Sequence, residues 1–261
     1  MTTRDELRGN GAALRARLFG PTASQQTLSQ RDSGGTISGI GDLFDEVTFG
    51  AVWSRPGLAL PDRMIATLAA LCAVQRLTHL RRYVGAALDL DMQAEVIVEI
   101  CVQCGIYAGF TASEEALAAA GAVFAERGVA PPSAAPGTAS LDELNAHGRA
   151  LLEELHGARG YEGYAAPDNP VTGALYPLAI QYGYGEIWHR PGLDRRQRAL
   201  CAVAAFTALR LDGQVRKFGQ SALNAGLGRT EIIEAVIQTG PYSGLAPALN
   251  ALAALSDVLG E

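Results

Sequence analysis

A stripe of three polar side chains is the first feature of this 261-residue sequence that could do chemistry. Its members are four residues apart in an apolar segment, so they would share one face of a helix. The stripe consists of Glu99, Gln103 and Tyr107, and it returns later as Glu234, Gln238 and Tyr242. Two interpretations stay open. The stripe could be a pocket wall with a catalytic carboxylate base, Glu99, a catalytic phenol donor, Tyr107, and Gln103 binding the substrate, or a hydrogen-bond network between helices.

His79 and Tyr83 form a second candidate pair, because their spacing also places them on one helix face. Histidine titrates near neutral pH, which suits a general acid–base catalyst. The positions 135 residues later hold Gln214 and Phe218. If the chain has one active pocket, this difference places it in the first half. The alternative is a surface histidine beside arginines 81 and 82.

Residue types that occur around both of two repeated turns could bind a substrate. A planar guanidinium binds a carboxylate or enolate oxygen, and an indole can form the floor of a pocket for an aromatic ligand. The candidates for substrate binding are Trp53, Arg55, Arg63, Trp188, Arg190 and Arg198. The alternative roles are salt bridges or helix-end contacts for the arginines and packing for the tryptophans.

These residues belong to a long internal repeat. Residues from about 49 to 124 align without a gap with residues 135 positions later, so that Trp53-Ser54-Arg55-Pro56-Gly57-Leu58 returns as Trp188-His189-Arg190-Pro191-Gly192-Leu193. A repeat of this length is a whole folding unit. Because so small a unit buries little surface alone, we predict two tandem units that pack on each other as a pseudo-dimer.

Apolar residues recur at helical spacing in both halves, and almost no segment alternates as a strand would. The predicted fold class is therefore all-α. Helices are expected at about 4–18, from 61, and at 78–90, 93–107, 113–127, 140–155, 195–210, 212–225, 229–242 and 246–259. The first unit is expected to span residues 1–128, with a mobile arm or pocket-covering loop over 1–48. A linker at 129–139, rich in proline and alanine, leads to the second unit at 140–261.

Composition argues against several classes of partner. The net charge of −6 disfavours nucleic acid, which needs a basic face. No apolar run reaches the ~20 residues that span a bilayer, and the first residues lack the apolar core of a signal peptide. We therefore expect a cytoplasmic protein with reduced cysteines. The four histidines show no metal-ligand spacing and no phosphate-binding motif occurs, so no metal and no cofactor are predicted.

The repeated motif resembles the carboxymuconolactone decarboxylase-like family, which includes thiol peroxidases of the alkylhydroperoxidase D type. The motif is Phe49-Gly50-x-x-Trp53-x-Arg55-Pro56-Gly57-Leu58, with a second copy from Tyr184 to Leu193 and a later Gln238-x-Gly240-x-Tyr242-x-Gly244. The resemblance implies an all-helical fold, decarboxylation without a cofactor, and a homo-oligomer. Since family members often form rings of six units, three copies of this fused chain are favoured.

The sequence departs from the family at its reactive positions. The histidine that family decarboxylases usually carry is replaced by Tyr83 in the first half and Phe218 in the second. The Cys-x-x-Cys of the peroxidases is missing at its usual place, and a different one, Cys101 and Cys104, lies on the following helix. A reactive thiol needs a helix N-terminus or a basic neighbour. The position of this pair within an apolar helix favours structural thiols, and Cys72 and Cys201 are predicted to be core residues.

We therefore predict a cofactor-independent enzyme that performs acid–base chemistry on a small or polycyclic, enolisable or aromatic acid. Decarboxylation, isomerisation, lactone chemistry or cofactor-free oxidation would use the same groups, and the fused arrangement is compatible with a biosynthetic pathway. One alternative is a catalytically inactive ligand-binding or assembly protein of the same fold. A further alternative is a thiol peroxidase using Cys101 and Cys104.

Overall fold

The computed structural model describes residues 2–20, 40–133, 137–162, 166 and 168–260. All regular elements among them are helical, which confirms the predicted fold class. The α-helices are α1 (Arg4–Phe19), α2 (Ile40–Asp45), α3 (Leu60–Ala73), α4 (Leu77–Asp89), α5 (Ala94–Ala108), α6 (Phe110–Arg127), α7 (Leu141–His156), α8 (Tyr176–Leu178), α9 (Arg195–Ala208), α10 (Asp212–Asn224), α11 (Arg229–Ser243) and α12 (Leu245–Leu259). A π-helical segment follows α2 at Glu46–Trp53 and another follows α8 at Ala179–Glu186.

Local sequence signals account for most helix boundaries. The Ser140 hydroxyl accepts a hydrogen bond from the Glu143 amide at 3.3 Å, and the Glu143 carboxylate accepts one from the Ser140 amide at 2.7 Å. This is a capping box, and the spacing of Ser140 and Glu143 is the sequence signal for it. Helix α4, expected from residue 78, begins one residue earlier at Leu77, and its capping position is Arg76.

The two halves share one core rather than meeting at a flat boundary. Helix α3 of the first half packs on α9 and α11 of the second, and α9 also packs on α5. Small residues make the close helix approach possible, since Ala66 and Ala69 on α3 and Ala202 and Ala205 on α9 are fully buried. The domain boundaries near residues 128 and 140 and the homo-oligomer of three copies stay predictions.

The N-terminal helix α1 lies where the sequence predicts a helix, at about 4–18, but it is packed into the fold and is not part of a mobile arm. It packs against the first π-helical segment, as α7 packs against the second. Gly11 of α1 faces Gly50 of the first π-helical segment, and Gly148 of α7 faces the Ile180 backbone of the second. Helix α1 is therefore the first-half counterpart of α7. The stretch from Ser33 to Gly39, which suggested the arm, lies outside the described residues.

Replacing Gly50 with alanine is expected to lower the free energy of unfolding by about 1–3 kcal/mol, the usual cost of overpacking. A Cβ atom at Gly50 would collide with the backbone oxygen of Leu7, which the rigid α1 cannot move aside. Gly121→Ala on α6 is the control, because its Cβ would meet nothing within 4 Å and alanine favours helix by about 1 kcal/mol. Chemical denaturation measures both, and a Gly50 variant as stable as the Gly121 variant would contradict the close crossing.

Candidate active site

Glu99 joins the two halves through buried ion pairs. Its carboxylate lies on α5 and accepts hydrogen bonds from Arg190 Nη2 at 2.7 Å and from Arg198 Nη2 at 3.1 Å, both from the second half. Arg198 Nη1 also donates to Gln103 Oε1 at 2.7 Å, and Gln103 Nε2 donates to the Tyr107 hydroxyl at 2.6 Å. The sequence-predicted stripe is therefore one continuous hydrogen-bond network that ends at Tyr107.

Glu234 forms the equivalent network in the opposite direction. It accepts hydrogen bonds from Arg55 Nη2 at 2.7 Å and Arg63 Nη2 at 2.9 Å, and Arg63 Nη1 donates to Gln238 Oε1 at 2.9 Å. Burial opposes ionisation of Glu234, but the hydrogen bonds from the two arginines outweigh it and lower the pKa of this carboxyl. All four candidate arginines thus bind protein carboxylates, as the structural interpretation of the stripes predicts. Substrate binding by Arg55, Arg63, Arg190 or Arg198 stays a prediction.

Aromatic rings surround the end of this network, where it meets the first half. The Tyr242 hydroxyl accepts a hydrogen bond from Trp53 Nε1 at 2.6 Å and donates one to the Tyr83 hydroxyl at 2.7 Å. Tyr83 stacks on Trp53 with ring centroids 5.8 Å apart, and Phe19 packs edge-on against Tyr83 at 5.3 Å. Burial raises the pKa of Tyr242 to about 12, so its proton stays in place and is held by Tyr83.

The second half has Phe218 where the first has Tyr83, and Phe218 lines a cavity. Tyr107, the counterpart of Tyr242, accepts a hydrogen bond from Gln103 at 2.6 Å. Because Phe218 offers no hydroxyl, no acceptor for the Tyr107 proton is found among the described residues. Burial raises the pKa of Tyr107 well above its usual value, so the phenol stays protonated. It can therefore donate a hydrogen bond to a ligand.

The cavity next to Tyr107 has a volume of about 360 Å³, which is in the range of small-molecule sites. Its wall is mainly aromatic and apolar, with polar groups from three tyrosines, a threonine and a glutamine. The lining residues are Ile106, Tyr107, Thr172, Leu175, Tyr176, Ala179, Gly183, Tyr184, Trp188, Phe206, Leu211, Gln214 and Phe218. No charged side chain is among the lining residues that the structure describes. Helix α5 supplies Ile106 and Tyr107, so both halves contribute to the site.

His156 stands behind this wall and was not predicted from the sequence. Its Nε2 atom lies 2.8 Å from the Tyr184 hydroxyl, and its Nδ1 atom lies 2.6 Å from Ser221 Oγ. Burial, reinforced by the charges of Lys217 and Arg159, lowers the pKa of His156 to about 3. His156 is therefore neutral at physiological pH. It ends α7 eight residues after Gly148, as Phe19 ends α1 eight residues after Gly11, and that alignment is the signal that could have found it.

Comparison with known proteins shows the family to which the chain belongs. Residues 39–122 and residues 174–257 each match the carboxymuconolactone decarboxylase family. The chain belongs to this family. It is similar to 4-carboxymuconolactone decarboxylase from Acinetobacter baylyi, with 37% identity over 90 residues that cover 34% of this chain and 67% of the relative. It is also similar to nitrosuccinic acid decarboxylase npaB from Metarhizium robertsii, with 27% identity over 118 residues that cover 44% of this chain and 82% of the relative. The family match confirms the tandem resemblance that the repeated motif indicates.

The structure separates the four residues that the sequence groups as catalytic. Tyr107 lines the cavity, while Glu99 is ion-paired two helical turns away. Tyr83 lies in the aromatic cluster of the first half, and His79 is half-buried on α4 and lines none of the cavities that we describe. Catalytic roles for His79, Tyr83 and Glu99 stay predictions. The cavity beside Tyr107 and Phe218 lies in the second half, and a pocket in the first half stays a prediction.

All four cysteines are buried as free thiols in the shared core. Cys104 Sγ lies 3.8 Å from Cys201 Sγ across the two halves, and this contact together with burial raises the pKa of the Cys104 thiol. A raised pKa reduces the thiolate that peroxide chemistry requires, so the geometry favours structural thiols for Cys101 and Cys104. No cluster of three or more potential metal ligands occurs within the described residues. None of the helices described there has the length and apolar character needed to cross a membrane.

Proposed function

We propose that this protein is a decarboxylase-like acid–base enzyme whose active site is the cavity beside Tyr107. One observation carries the proposal. Tyr107 borders a cavity as a protonated phenol without a protein acceptor among the described residues, whereas the proton of its counterpart Tyr242 is held by Tyr83. Tyr107 and Trp188 are then the sequence-predicted residues that contact the substrate.

The reaction that fits this site stabilises negative charge on an oxygen. In the proposed step the bond between a substrate carbon and its carboxylate breaks, CO₂ leaves, and the electron pair moves onto a conjugated carbonyl as an enolate. The Tyr107 hydroxyl donates a hydrogen bond to that oxygen, which stabilises charge most strongly in a site that excludes water. The substrate carbon afterwards takes a proton from solvent, which balances the reaction. The proposed chemistry requires no cofactor.

The substrate class follows from the cavity and from the relatives. Both relatives are named for the decarboxylation of a small acid. The volume of about 360 Å³ accommodates a molecule of that size, and the aromatic walls suit a flat, conjugated acid or lactone. A second apolar cavity of about 580 Å³ shares Ile106, Leu175, Ala179 and Gly183 with the first. The shared wall gives room for a larger, polycyclic substrate.

Release of CO₂ from 4-carboxymuconolactone and from nitrosuccinic acid tests the proposal. We expect turnover of at least one of the two acids, at a rate that a chelator does not change. Binding of both acids without CO₂ release would contradict the proposal and support the ligand-binding alternative. If the protein consumes hydrogen peroxide and Cys104→Ser does not, the proposal is contradicted and the thiol peroxidase alternative is supported.

A further inference from the structure

Three neighbouring positions near the cavity are polar in the second half and apolar in the first. Ser221, His156 and Tyr184 take the places of Ala86, Phe19 and Phe49. The packing is otherwise preserved, because the ring of His156 lies 5.6 Å from Tyr184 and 5.0 Å from Phe218, where Phe19 lies 5.9 Å from Phe49 and 5.3 Å from Tyr83. The three polar residues are therefore not needed to fill space. They replace an apolar cluster with a hydrogen-bonded chain.

The chain runs from the protein interior to the cavity wall. Ser221 Oγ lies 2.6 Å from His156 Nδ1 and 3.2 Å from the Lys217 carbonyl oxygen, and His156 Nε2 lies 2.8 Å from the Tyr184 hydroxyl. A neutral imidazole has one donor and one acceptor nitrogen. If Nδ1 donates to Ser221, the Tyr184 proton is directed to Nε2, and the phenol oxygen can accept from a ligand. If Nε2 carries the proton, the Tyr184 hydroxyl is released to donate.

We propose that Tyr184 is a second catalytic residue of the cavity, and that His156, held by Ser221, is a positioning residue that lets Tyr184 either donate or accept a hydrogen bond. The inference rests on the proposed function. Because His156 changes only its tautomer, it gains no net proton. Tyr184 would hold the carboxyl group or the second oxygen of the substrate while Tyr107 stabilises the enolate.

The inference is tested by replacing each residue with its first-half counterpart. The first half holds that counterpart in equivalent packing, so the substitution should be tolerated. Tyr184→Phe is expected to lower kcat for 4-carboxymuconolactone about 10²-fold. His156→Phe and Ser221→Ala are each expected to lower kcat about tenfold, the equivalent of one hydrogen bond, with little change in KM. His156→Gln, whose amide can still reach Tyr184, should restore part of the loss. His147→Phe, an exposed histidine on the same helix, is the matched control and should have no effect.

The double variant His156→Phe, Tyr184→Phe separates positioning from a merely structural role. If His156 acts through Tyr184, the double variant should be no slower than Tyr184→Phe alone. The inference would be overturned if the loss of kcat in the double variant equalled the product of the two single losses. It would also be overturned if His156→Phe left kcat unchanged. Thermal unfolding checks the fold of each variant, and the smaller changes Tyr184→Phe and Ser221→Ala decide the question if His156→Phe does not fold.

Nitrogen NMR of ¹⁵N-histidine protein gives a readout that needs no turnover. Addition of 4-carboxymuconolactone is expected to shift the His156 ring nitrogens in the unmodified protein but not in Tyr184→Phe, and an unmodified protein without a shift would overturn the inference. Full turnover in Tyr107→Phe would contradict the proposed function. If Tyr107→Phe loses turnover while the Tyr184, His156 and Ser221 variants keep it, only this inference is contradicted.

Discussion

Tyr107→Phe is expected to lower kcat for CO₂ release by about 10²- to 10³-fold, the usual effect of removing one donor to a developing oxyanion. The substitution removes only the hydroxyl, so the ring contact with Phe206 at 4.5 Å and the shape of the cavity should be retained. Because the same hydrogen bond is weaker in the ground state, KM should change less than kcat. Steady-state measurement of kcat and KM with 4-carboxymuconolactone checks the result.

Tyr242→Phe is the matched control for this prediction. Tyr242 is the equivalent residue on α11 and accepts a hydrogen bond from Trp53, but its proton is held by Tyr83. Its loss should destabilise the protein slightly and leave kcat unchanged. Equal losses of kcat in the two variants would mean that both halves are active, and an unchanged Tyr107→Phe would remove Tyr107 from the reaction.

Glu234→Gln is expected to lower the free energy of unfolding by about 3–5 kcal/mol, because it leaves the buried guanidinium of Arg63 without its carboxylate. The side chain of Arg63 is 1% exposed and that of Glu234 is 5% exposed, so water cannot replace the lost partner. The network lies away from the cavity, and folded protein should keep its kcat. Urea denaturation at neutral pH measures the loss.

Glu231→Gln on the same helix is the control, because Glu231 and its partner Arg196 are about one-third exposed and an exposed pair contributes at most about 1 kcal/mol. The pH dependence gives a second check. Since the folded-state pKa of Glu234 is lowered, its stabilisation is present above the ordinary value of 4.5 and is lost as pH falls through the folded pKa. The difference between the unmodified protein and Glu234→Gln should therefore shrink in acid, and a constant difference would contradict the ion-pair explanation.

The fold could be predicted from the sequence because its evidence is local. Helical spacing of apolar residues and the capping box at Ser140 depend on neighbours a few positions away, and they place most helix ends within a few residues of those observed. The repeat then predicts two packed units without knowledge of their contacts. The alignment of the two repeats did not show that α1 is equivalent to α7, because the connection from α1 to the first repeat differs in length from the connection from α7 to the second.

The position of the cavity could not be predicted, because it depends on whether side chains from distant segments fill the same space. The change from Tyr83 to Phe218 suggests that the second half is the less reactive one when those residues are compared alone. The structure shows a cavity beside Tyr107 that is lined by residues between Thr172 and Tyr184, while Tyr83 binds the proton of Tyr242 in the first half. Tyr107 lines this cavity and its catalytic role stays a prediction; its available proton depends on Phe218, which lies more than a hundred residues later.

Each carboxylate of the paired networks comes from one half and its arginines come from the other. In an assembly of identical single units, any substitution would appear at both equivalent sites and change them together. Fusion into a single polypeptide removes that constraint, because the two sites are encoded separately while the paired charges still require both units. One site can then keep only a structural role while the other becomes catalytic, and each half still depends on the other for its paired charges.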